Sequence, residues 1–394
     1  MTVSQAYDPF SYALHEDPYP TYAWMREHQP LYRNDERDFW ALSRHADVLG
    51  ALRDPGLFSS RNGISLEPDL WGPEAVKTSF FLAMDPPEHG SMRRLLGPAF
   101  KPAWVASIGT RVRQLARARL APLRDGAPFD LAADFAAALP NDVMCELVGI
   151  PVSDRDRIRA DNDLLNECED GTEVRSAATT AAGMRLAMYY VSLIGDRRRR
   201  PREDLTSAMI EARPDGRPLT DSQLVAFLFL MVSATNESTG KLIGNALYHG
   251  WRMPAVQRAG LNGRAGDWGR ESLRFDSPSQ MMARTLTAET VIHGTAVPAG
   301  ARVALLPASA NRDDRVFADP DRFDLDRDTS RELSFGHGPH FCLGAPLARL
   351  EITIALEELG ALISEYEIDP AGTRRIHSPH QRGFAALPCS VTRR

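Results

Sequence analysis

Residues 335–344 read Phe-Gly-His-Gly-Pro-His-Phe-Cys-Leu-Gly and lead straight into a helical pattern. Glycines in such a run tolerate positive φ and let the backbone pass close to a flat ligand. Cys342 stands just before the helix start, where amide donors and the helix dipole favour a thiolate. Alone, a cysteine so placed is most often an inert small hydrophobe. The chain holds three others, Cys145, Cys168 and Cys389, and none makes a CxxC or CxxxC spacing. Neither a disulfide framework nor a zinc site is therefore expected, and at least one cysteine has to be explained by its own neighbourhood.

The pattern over the rest of the chain is mainly α with small β-sheets (α+β). Residues 59–81 are irregular and suit a long loop. From 88 to about 240 nearly every segment has amphipathic helical spacing, and a long apolar helix is expected over about 222–251, with Thr220 placed to cap it. After Pro278, alternating β-branched positions and His-Gly and Pro-Ala-Gly turns predict short strands; residues 311–328 read as a polar ordered loop, and 345–365 as a last helix. A length of 394 residues suggests two or three domains, but no linker or repeat divides the chain. One domain over 1–394 is the better reading.

The longest apolar run, residues 224–232, is far short of the ~20 needed to cross a bilayer. The first twenty residues lack the pattern of a secretory signal, so a cytoplasmic location is expected. A net charge of -6 argues against nucleic-acid binding, and the run Arg197 to Arg200 reads as a solvated helix end.

Around Cys342 the chain resembles the cytochrome P450 family, whose ligand loop has the form FGxGxHxCxG; every fixed position is met, which overturns the inert reading. The resemblance implies haem b buried between the long central helix and the cysteine-ligand loop and helix, with Cys342 as axial thiolate on the haem iron. It also implies Phe335 beside the sulfur, Gly344 in the haem-binding loop and His340 at a propionate. Three further matches extend it along the chain. Glu271 and Arg274, three apart on one helical face, with Arg322, resemble the family's buried Glu-Arg-Arg network. His89 and Arg93, four apart at a helix start, with Arg284, resemble its propionate-holding set. Residues 234–239 stand in place of the family's A-G-x-[DE]-T segment, which makes Glu237 the acid and Ser238 the alcohol of proton delivery to dioxygen. Thr235 replaces the usual glycine and Ser238 the usual threonine. Thr239, turned by ~100°, is the alternative hydroxyl.

These matches imply a monooxygenase, an enzyme inserting one oxygen atom from O2 into a mostly apolar small molecule by hydroxylation or epoxidation in bacterial secondary metabolism. Altered haem-thiolate chemistry (C–C coupling, peroxygenase or dehydration) and a non-catalytic haem sensor or carrier are the alternatives. Pocket walls are expected from residues 62–81, 164–190, 227–235 and 279–282, with Phe227, Ala234, Thr235, Met281, Met282 and Phe384 among them; Met281 and Met282 read equally well as core packing. The residues carry no flavin or iron–sulfur motif, so a ferredoxin and ferredoxin reductase are expected as separate donors, docking on a basic patch that includes Arg94, Lys101 or Arg349. No nucleic-acid or membrane partner and a monomeric state are expected. Cys145, Cys168 and Cys389 are taken as structural.

Overall fold

The long helix spans Asp221–Arg252, 32 residues and ~48 Å at 1.5 Å per residue. Its start is set by a capping box: Gln223 N–H donates to Thr220 Oγ1 at 3.2 Å, and Thr220 N–H donates to Gln223 Oε1 at 2.9 Å. Leu224, Phe227, Leu228, Val232, Ile243, Ala246 and Leu247 are all buried along it, so it is apolar nearly all round, as a core helix must be. Helices Ala138–Val148, Ala177–Arg199, Ala265–Phe275 and Ala345–Leu362 pack against it. This computed structural model describes residues 6–165 and 167–394, the side chains of 234–237 lying outside that description.

Trp268 is the largest buried side chain where three of these helices meet. Its Nε1–H donates to Ala246 O at 3.1 Å, which satisfies the one polar atom of the ring. Space for the indole comes from Gly250, where a Cβ would sit 2.3 Å from the ring.

The main sheet joins β1 (Leu31–Asn34), β2 (Phe39–Leu42), β3 (Phe58–Ser59), β4 (Met282–Leu286) and β5 (Arg302–Leu305) in the order β1-β2-β5-β4-β3. β2 and β5 run parallel, with Trp40 opposite Val303, and the remaining pairs are antiparallel. Arg284 thus lies on an inner strand, opposite Val303. A second sheet pairs Pro388–Arg393 with both Phe129–Asp130 and Ile363–Ile368. No helix among the described residues is long and apolar enough to cross a membrane.

Two local expectations need correction. Residues 59–81 are not one loop: Pro68–Leu70, Val76–Ser79 and Phe80–Ala83 are short helices, wound where Phe80 and Phe81 turn into the core. Arg197 is not solvated but 2% exposed. It bonds Asp204 and Gly149 O, and Asp204 in turn caps the next helix.

Candidate active site

Cys342 is presented by a tight loop before Ala345–Leu362. Its N–H donates to Phe335 O at 2.8 Å, closing the loop on itself. Gly338 has φ +69, and a Cβ there would lie 2.6 Å from Leu52 O, so only glycine fits this approach. Burial pushes the Cys342 thiol up, while the Gly344 and Ala345 amides and the charges of Arg93 and Arg349 pull the other way. These are the donors a thiolate ligand needs. Phe335 lies under Arg349, whose guanidinium is 4.6 Å from the ring centroid.

His89, Arg93, Arg284 and His340 come together on one side of this loop. His89 is at the start of helix Glu88–Leu96, and its ring lies 4.1 Å from that of His340. Burial, with Arg93 next to it, lowers His89 to about 4; burial and the Arg284, His89 and Arg93 charges hold His340 lower still. His89 Nε2 and His340 Nδ1 are buried without a hydrogen-bond partner among the described residues. Arg284 is 4% exposed, and burial lowers it to about 10 against the pull of Asp85. Among the described residues its side chain reaches only Ala283 O at 2.7 Å and Met282 Sδ at 3.8 Å. Two guanidiniums without a carboxylate partner among the described residues, beside two histidines with orphaned buried nitrogens, form a site incomplete without an anionic ligand. A haem with two propionates supplies the matching groups, so the residues fit that cofactor.

The loop is held from behind by the Glu271–Arg274 pair. Both side chains are buried, and the contact is bidentate at 2.9 and 2.6 Å. Arg274 also donates to Asn311 O and Pro320 O, both at 2.9 Å. The third member is not Arg322, whose side chain is 69% exposed and reaches only Asp324. It is Arg327, donating from Nε to Glu271 Oε1 at 3.1 Å. Asp324, two residues beyond Arg322, captures that guanidinium, while the turn brings the Arg322 carbonyl inward to accept from Arg327 at 3.0 Å. Leu333 N–H donates to Asn311 Oδ1 at 2.7 Å and Ser334 Oγ to Leu273 O at 2.8 Å. The ion network therefore fixes the strand of chain that enters the cysteine loop.

The middle of the long helix carries the remaining residues expected at the site. Ala234, Thr235 and Glu237 lie outside the described residues; Ser238 is half-buried and Thr239 buried. Phe227, fully buried, meets Phe80 edge-on at 6.3 Å, which joins the helix to residues 62–81. Met282 is half-buried beside Arg284. Met281 and Phe384 are packing residues instead. Met281, just before β4, is buried with Tyr7, Phe10 and Tyr22 in a separate core. Phe384 lies 4.4 Å from Tyr248, ~15 Å along the helix from Ser238 at 1.5 Å per residue.

Two features carry no motif. Glu67, in the segment before Phe80, accepts from His380 Nε2 at 3.0 Å and Ser65 Oγ at 3.1 Å, with Arg175 at 3.6 Å. It ties together three stretches otherwise far apart in sequence. Glu351, on the helix after the cysteine, is fully buried. Only the fold reveals either one.

A family model described as cytochrome P450 matches residues 270–390, from the Glu271–Arg274 helix through Cys342. The chain is 46% identical to a Mycobacterium tuberculosis protein bearing the name cytochrome P450 123, over 98% of this chain and 97% of the other. It is 35% identical to the erythromycin C-12 hydroxylase of Saccharopolyspora erythraea, over 90% and 89%. The crystal structure of CYP109E1 from Bacillus megaterium in complex with testosterone superposes with a TM-score of 0.87 at 27% identity, covering 96% of this chain and 98% of that one.

Proposed function

The chain belongs to the cytochrome P450 family of haem b monooxygenases, and from that premise we propose that it hydroxylates or epoxidises a mostly apolar small molecule of bacterial secondary metabolism. The observation that carries the reading is the pairing of Cys342, aimed at by two backbone amides, with His89, Arg93, Arg284 and His340, which have no carboxylate partner among the described residues. When bound, haem b supplies the activation of dioxygen.

The chain's own residues do the rest. Cys342 would ligate the haem iron through its thiolate, and Arg93, Arg284, His89 and His340 would hold the haem carboxylates. Buried guanidiniums make those contacts stronger than in water. Glu237 and Ser238 would store and pass protons, with Thr239 as the alternative hydroxyl. Phe227 and its neighbours exclude water from an apolar substrate. That one relative is named an erythromycin hydroxylase and one similar structure holds testosterone supports a bulky, largely apolar substrate. A ferredoxin and its reductase deliver electrons in the cytoplasm, at a face that includes the exposed Arg94 and Lys101 and the half-exposed Arg349.

Reduced protein under carbon monoxide should show the strongly red-shifted Soret band of a thiolate adduct, and Cys342→Ser should abolish it. An unshifted band in the parent refutes the assignment. Turnover under labelled dioxygen should give singly labelled product; unlabelled product would exclude oxygen insertion from O2.

A further inference from the structure

Helix Ala177–Arg199 turns to solvent a face that its surroundings do not explain. Met184, Met188 and Val191 are 64%, 73% and 59% exposed. With Ala177, Ala181 and Gly195 they recur at steps of four and three, the seam of a two-helix coiled coil. The inner face is already used: Leu186, Tyr190, Leu193 and Ile194 are buried in the main core. Over residues 177–195 the one charged side chain is Arg185, and Asp161 of the neighbouring helix holds it at 3.0 Å. A surface helix ordinarily carries charge on its outer face. Here charge is confined to the ends: Glu169, Asp170 and Glu173 outnumber Arg175 before the helix, and Arg197 to Arg200 outnumber Asp196 at its exit.

We propose that this face is the interface of a homodimer, in which two copies pair these helices antiparallel about a two-fold axis at the level of Leu186. Met184 then meets Met188 of the partner subunit, and Ala181 meets Val191 of the partner subunit. The acidic entry of each helix lies beside the basic exit of the other. Such a self-complementary patch is what a closed two-fold contact requires. A second copy suits the pattern better than a lipid surface, because another copy matches both end charges whereas an anionic bilayer repels the acidic end. The seam is ~28 Å long and ~10 Å wide, roughly 300 Å² a side, below the ~800 Å² per partner of a standard stable complex. The dimer is therefore weak and salt-sensitive, and it replaces the monomer expected from the sequence.

Sedimentation of the haem-loaded protein up to about 200 µM should show a monomer–dimer equilibrium that weakens with added salt. The double variant Met184→Glu, Met188→Glu should stay monomeric while keeping the red-shifted carbon monoxide band, which certifies its fold. Arg199→Glu with Arg200→Glu should weaken association by about tenfold. Three outcomes overturn the proposal: no association at the highest concentration, association untouched by the methionine variants, or flotation with anionic vesicles that those variants abolish.

Discussion

Arg327→Ala and Arg322→Ala form a matched pair, because the resemblance favours one arginine and the geometry the other. Arg327 is 10% exposed and bonds Glu271, which is 1% exposed. It also donates to the carbonyls of Ala318, Asp319 and Arg322. Truncation leaves three carbonyls to find water, at ~0.5–1 kcal/mol each, and removes one of the two guanidiniums on a buried carboxylate, at ~1–2 kcal/mol. A total of roughly 2.5–5 kcal/mol follows. Arg322 loses only a 3.2 Å contact at 69% exposure, worth at most ~0.5 kcal/mol after solvent screening. With ~2.1 cal/mol/K of unfolding entropy per residue, a chain of 394 residues shifts by about 1 °C per kcal/mol. Arg327→Ala should therefore lower Tm by ~4 °C and Arg322→Ala by under ~1 °C. Guanidinium midpoints on the haem-loaded protein give the same comparison, and loss of the red-shifted band at low denaturant reports whether the cysteine loop goes first. Equal costs for the two variants, or a cost under ~0.5 kcal/mol for Arg327→Ala, would refute the assignment of Arg327.

Burial raises Glu351 from 4.5 to about 8, so the folded state keeps a proton that the unfolded chain gives up across that window. Stability should fall as pH rises from about 5 to 8, and Glu351→Gln should remove that slope and gain on the parent by up to a few kcal/mol at the upper end; parallel unfolding curves across pH would rule this out. Burial works against ionised Glu67, but His380, Arg175 and Ser65 outweigh it and keep its carboxyl below the ordinary range. Its ties are therefore present above the ordinary carboxyl range and are lost on acidification through the lowered value. Glu67→Gln should loosen the joint between the three segments and speed release of a spectrally detected ligand by about five- to thirtyfold, and unchanged stopped-flow release rates would count against it.

What the sequence made legible was what the backbone itself demands. The approach of Gly338 to Leu52 O admits no side chain, and a thiolate before a helix needs amides at the next residues, so the loop around Cys342 is written in consecutive letters. His89 with Arg93, and Glu271 with Arg274, are likewise neighbours through helical periodicity. Arg322 and Arg327 sit five apart in a stretch without periodicity, where the pairing depends on whether Asp324 or Glu271 reaches a guanidinium first. That competition is settled by a turn no pattern announces. Met281 poses the same difficulty: its alternation places it on a strand face, but which core that face meets depends on the N-terminal residues Tyr7 and Phe10 folding back over the sheet.

The same distinction bears on the helix Ala177–Arg199. Helical periodicity makes both of its faces legible at once, the buried Leu186–Tyr190–Leu193 side and the exposed Met184–Met188–Val191 side, yet the letters of the two are equally apolar. Only burial separates them, and once the inner face is filled by the molecule's own core, the outer one is left with apolar surface that folding does not cover. A stripe without charge over nearly five turns is costly to leave in water at ~25 cal/mol per Å², whereas the flanking acids and arginines cost nothing there. That contrast, within a single helix, is why association rather than further folding is the physical answer to its composition.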